Sequence, residues 1–109
     1  YQESNELKKS LKFWYRLPGH YHGSENYSVF APRLEIINYY MEELRKYGWE
    51  FIAEEDNVEK SNGKKVEEKY IFRNGTYELQ ISFPVETTVN FEGVVYEKSY
   101  YIIVFPINR

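Results

Sequence analysis

The sequence predicts an α+β domain, with one amphipathic helix packed on an antiparallel sheet of about four to five strands in the order β-α-β-meander. Three observations predict it. An apolar stripe at helical spacing follows Pro32 and stops at Gly48. Alternating apolar and polar residues, punctuated by turn sequences, fill the second half. The 109 residues have room for one core and not for two.

Residues 1–10 are polar and are expected to be disordered in part; residues 11–109 form the single domain. Leu11, Phe13, Tyr15 and Leu17 alternate with Lys12, Trp14 and Arg16, which favours a strand from about Lys12 to Leu17. Leu7, Leu11 and Trp14 also have helical spacing, so that alternative stays open. Pro18 and Gly19 end the element, and His20 to Asn26 reads as a loop. Tyr27 to Ala31 is a short extended piece.

Pro32 suits the first helical position, where a missing N–H costs nothing. Leu34, Ile37, Met41 and Leu44 form the stripe, with Tyr40 and Tyr47 on its flank. Glu35 in the first turn and Arg45 and Lys46 in the last match the helix dipole. Gly48 supplies a left-handed cap. Trp49, Phe51 and Ala53 then share one face of a strand.

Asn62-Gly63 and Asn74-Gly75 are each expected to make a type I′ turn. A two-residue loop at Asn74-Gly75 sets Phe72 opposite Tyr77, Tyr70 opposite Leu79 and Val66 opposite Phe83. Apolar then meets apolar almost throughout, with Ile71 opposite Glu78 as the exception. The first turn fits less well, because it sets Glu59 opposite Val66; it is a solvated ribbon or a longer loop. Pro84 ends the next strand or marks a bulge. Val85 to Lys98 is a connection with room for a small hairpin around Glu92-Gly93, and Tyr100 to Ile107 is the last strand. That strand is apolar on both faces, which indicates a central position or a covered outer face. The element order is similar to that of several small helix-on-sheet families, cystatin-like ones among them. No stretch carries a motif that names one.

Composition excludes more than it selects. The net charge of −3 comes from interleaved acids and bases, so the basic stripe of a nucleic-acid binder is missing. There is no cysteine, which removes disulfides, zinc knuckles and thiol chemistry. No apolar run is long enough to span a bilayer, so no membrane insertion is expected within this chain. The chain begins at Tyr1 without Met and is expected to be either a processed product or a trimmed piece of a longer chain, with room for a signal or anchor before it. An extracytoplasmic location is favoured on that ground over a cytoplasmic one.

His20 and His22, two apart on an extended segment, point to one side and could hold a metal with Glu25; the plainer account is a solvent-exposed loop. Ser24 lies near His22 without a nucleophile motif. Glu54-Glu55-Asp56 and Glu67-Glu68 read as a charged ribbon that discourages edge pairing. Asn26-Tyr-Ser28 and Asn74-Gly-Thr76 match the glycosylation sequon. The 12 tyrosines carry the remaining signal. Tyr40, Tyr70 and Tyr77 are expected in the core. Tyr21, Tyr27, Tyr39, Tyr96 and Tyr100 are expected outside as binding residues, Tyr39 because the helical wheel puts it opposite Ile37 among charged neighbours.

Three functions follow as expectations. The first is a non-enzymatic protein-interaction module, the soluble domain of an exported or envelope-anchored bacterial protein, with another protein or itself as partner and no cofactor. The second is a small-molecule or glycan-binding domain using exposed aromatics. The third is a small metal-assisted enzyme using His20 and His22.

Overall fold

The computed structural model describes residues 23–107. The expected strand at Lys12–Leu17, the polar segment 1–10, Tyr21, His20 and His22 lie outside the described residues. In chain order the elements are β1 (Gly23–Pro32), α1 (Arg33–Lys46), β2 (Glu50–Val58), β3 (Lys65–Asn74), β4 (Tyr77–Pro84), a short 3₁₀ turn (Val85–Thr87), β5 (Thr88–Phe91) and β6 (Val94–Pro106).

The architecture is α+β and dominated by the sheet. Among the described residues six antiparallel strands, rather than four to five, run in the order β1-β6-β4-β3-β2, with β5 also on β6. Only β2, β3 and β4 form a simple meander. β1 pairs with the last strand, from Gly23↔Val104 to Pro32↔Tyr96, so the expected β-α-β-meander is corrected. β6 explains this. Its Tyr100, Ile102 and Val104 are buried, the residues between them are half-buried, and a strand apolar on both faces takes neighbours on both edges. It starts at Val94 rather than Tyr100 because Glu92 and Gly93 turn the chain back on β5, with φ of 51° and 81°. Both central residues take positive φ, as a type I′ turn requires.

The two Asn-Gly sequences behave differently from expectation. At the second, Asn74 pairs with Tyr77, and the loop is Gly75-Thr76 with only Gly75 at positive φ, the pattern of a type II′ turn. Every partner across β3 and β4 therefore moves by two residues, to Phe72↔Leu79 and Tyr70↔Ile81. A shift of two preserves the faces, so the sorting of apolar from polar survives. The cause is Asn74 itself. Its Nδ2 donates to the Tyr47 carbonyl at 3.1 Å, which ties the turn to the end of α1 and keeps Asn74 in its strand. At the first, the longer-loop alternative holds. Gly63 N–H reaches the Glu59 carbonyl and Glu59 N–H the Lys64 carbonyl, both at 2.8 Å.

Pro32 is extended (φ −60°, ψ 136°) and caps α1 from outside rather than occupying its first turn. At the other end Gly48 takes φ 89°. Trp49 N–H bonds the Leu44 carbonyl and Gly48 N–H that of Arg45, the paired bonds of a Schellman cap. The buried helix face is Ile36, Ile37, Tyr40, Glu43 and Leu44. At about 100° per residue it centres on Tyr40, about 60° round from Ile37. Leu34 is thereby turned out and is 71% exposed, which corrects its place in the stripe. The core seats this face on Phe72, Leu79, Ile81, Phe83, Tyr100, Ile102 and Val104 of the sheet.

Candidate functional site

The rotation of α1 opens a trough on the helix side of the sheet. Its larger part has a volume of about 560 Å³ and lies between Leu34, Ile37, Asn38 and Met41 of α1, Phe51 and Glu54 of β2, Tyr70 of β3, and the turn at Gly93–Val95. A second part of about 310 Å³ continues it along Met41, Arg45, Trp49, Glu50, Phe51 and Phe72. Met41 and Phe51 belong to both. Apolar walls with few polar groups are the usual make-up of a binding pocket, and about 300–1,000 Å³ is its usual size.

The floor near the α1 N-terminus is a charge network. Arg33 Nε donates to Glu97 Oε2 at 2.5 Å, and its Nη1 bonds Glu68 Oε1. Glu97 is 0% exposed and also accepts from Thr88 Oγ1 at 2.7 Å. The guanidinium lies 5.1 Å from the Phe83 ring centroid. Burial works to lower the Arg33 pKa, but the bonds to Glu68 and Glu97 outweigh it and raise it. Lys65 Nζ bonds Glu68 Oε2 at 2.6 Å, and this bond, aided by Arg33 and opposed by burial, holds Glu68 below the usual carboxylate value. Burial, with the charge of Glu54 adding to it, pushes the Tyr70 phenol up, so it stays protonated. Glu54 makes no ion pair among the described residues.

A second exposed apolar cluster lies on the β5–β6 hairpin and meets the trough at Val94. Phe91 pairs with Val94 and Val89 with Tyr96, so these four side chains share one face. Phe30 extends that face, its ring stacked on Tyr96 at 5.1 Å. Phe30 is 68% exposed and Phe91 60%.

Of the tyrosines expected outside, Tyr96 is half-buried and belongs to this surface. Tyr27 and Tyr100 do not: they are 7% and 2% exposed, and their rings stack 5.0 Å apart in the core, which corrects that expectation. Tyr100 is buried because the strand expected to begin with it runs through the sheet centre. Its hydroxyl hydrogen-bonds that of Tyr40. Tyr39 is half-buried, with its ring edge-on to Tyr40 at 5.1 Å, because the same 60° rotation brings it to the flank of the buried face. Leu34, Phe30, Phe91 and Val94 were missed. Their signal was an apolar residue at a position that a rotated wheel or a hairpin face leaves unpacked.

Among the described residues no group of three or more His, Cys, Asp or Glu is placed to hold a metal ion. No described helix is long and apolar enough to cross a membrane. Comparison with protein-family models, curated proteins and solved structures gives no match.

Proposed function

We propose that this chain is a non-enzymatic binding module that docks a partner protein on the trough and the adjoining hairpin face. The observation that carries the reading is the extent of the apolar surface. A small molecule filling the trough would cover Leu34, Phe51 and Val94 and leave Phe30 and Phe91 in water. A partner protein that passes over the hairpin at Val94 covers both clusters, and exposed apolar clusters of this kind mark interaction sites. Tyr96 stacked on Phe30 adds a rigid aromatic anchor of the type enriched at interfaces. The test is selection from a displayed random-peptide library on the purified chain, followed by amide shift mapping. Binders should perturb Leu34, Phe91 and Val94. Leu34→Ser and Phe91→Ser should each weaken them by about tenfold or more without lowering Tm. Binders that map elsewhere, or that bind both variants like the parent, would refute it.

A second reading has one observation of its own. The larger part of the trough, at about 560 Å³, matches a small-molecule pocket, with Asn38, Glu54 and the Tyr70 hydroxyl to orient an apolar ligand. A thermal-shift screen against metabolites and glycans decides it: a hit abolished by Met41→Glu supports this reading, and a flat response ends it.

A further inference from the structure

We infer that the docked segment is an amphipathic helix lying beside α1, with a lysine or arginine seated against Glu54; this rests on the trough being a protein-docking site. The first argument is width. The five-strand path of the sheet measures roughly 20 Å across at about 4.8 Å per strand. Among the described residues one helix, about 10 Å wide, covers half of that. The uncovered half carries Phe51 and Tyr70, and the trough over it follows α1 from Leu34 to Arg45. A second helix packed at the usual 8–10 Å from α1 falls in this trough. A strand added to the edge of β2 is disfavoured, because register breaks at both ends of β2 interrupt its ladder and Glu54, Glu55 and Asp56 line it.

The second argument is charge. At the Gly93 end the cation is Arg33, already bonded to Glu97 and Glu68. Glu54 is therefore the carboxylate with no cation of its own among the described residues: Arg33 serves Glu97 and Glu68, and Lys65 serves Glu68 and Asp56. At the other end Arg45 and Glu50 balance. A cation entering the trough gains at the Glu54 end, between a carboxylate and the rings of Phe51 and Tyr70, whose centroids are 6.4 Å apart. A basic residue in the last turn of the partner helix also suits that helix's dipole, which sets the partner antiparallel to α1.

The test uses the full chain and its Glu54→Lys variant, each panned against a helix-restrained peptide library and a linear one. The parent should select amphipathic helices with Lys or Arg at one fixed register. The variant should select Glu or Asp there, and peptides chosen on the parent should bind it about threefold to tenfold more weakly. Glu54→Gln should fall between them. Helical peptides that bind the trough with the same charge preference on both chains would overturn the inference and leave the docking reading standing. Binders drawn only from the linear library would overturn the helix. Binders mapping away from the trough, or cross-links from it to this chain's own residues 1–22 in place of the peptide, would overturn both.

Discussion

Replacing Arg33 with Met removes the only cation bonded to Glu97 among the described residues while keeping much of the aliphatic stem. Glu97 has no exposure to water, so its carboxylate would be left with Thr88 Oγ1 as its side-chain donor. Stranding one partner of a buried pair costs about 3–5 kcal/mol. The Glu68 contact adds little, because Glu68 is partly exposed and keeps Lys65. The contact of the guanidinium with Phe83 adds about 0.5–2 kcal/mol. A loss of at least about 3 kcal/mol follows, and at about 4–8 °C per kcal/mol a fall in Tm of at least about 12 °C. The reference for the pair is the double variant Arg33→Met/Glu97→Leu, which has no buried charge left and should recover about 2 kcal/mol or more of that loss. Urea unfolding of the parent, both single variants and the double variant, with a common slope m, gives the coupling energy directly. A single Arg33→Met cost below about 1 kcal/mol, or costs that simply add in the double variant, would refute the reasoning that Arg33 and Glu97 are held as one buried unit.

Three further outcomes are expected. Glu92 sits at φ 51° in the β5–β6 turn, so Glu92→Gly should stabilise the fold by about 0.5–1 kcal/mol in denaturant melts; destabilisation would mean that the Glu92 side chain holds the turn. Leu44→Ala should cost about 2–5 kcal/mol and Leu34→Ala under about 0.5 kcal/mol, since the first is fully buried and the second mostly in water; equal costs would refute the helix rotation. In pH titrations of stability, Glu68 has a folded pKa below its ordinary 4.5, so its contribution is present above that value and is lost as pH falls through the lowered one. Tyr70 and Tyr101 have folded pKa values raised above 10.0, chiefly by burial, so their contribution is present below pH 10 and is lost as pH rises through the raised values. Glu68→Gln should flatten the acid limb, and Tyr70→Phe with Tyr101→Phe the alkaline one; unchanged limbs would show that other groups control both.

The interaction surface was only partly legible in the sequence. Tyr96 was identified, yet the residues that make its neighbourhood a surface were not, because Phe30 and Tyr96 are 66 positions apart and meet only through the pairing of β1 with β6. Tyr27 and Tyr100 were expected outside because each flanks a segment read as a loop or connection. Both segments are strand in part, and both rings stack in the core.

What the sequence by itself determined is local and periodic. Helix α1, its glycine cap, the faces of β3 and β4 and the double-sided apolarity of β6 follow from spacings of two, three and four residues, and those are set by backbone geometry within one element. Tertiary structure decided the pairing of β1 with β6, the two-residue register shift drawn by the Asn74 bond to Tyr47, and the rotation of α1 toward Tyr40. These depend on which distant surfaces pack, and a helical wheel has no fixed origin until a sheet supplies one. The α+β class therefore stood on the sequence, with the strand count and order corrected. The trough beside the helix, with exposed Leu34 on its wall and Arg33 at its floor, follows from that rotation.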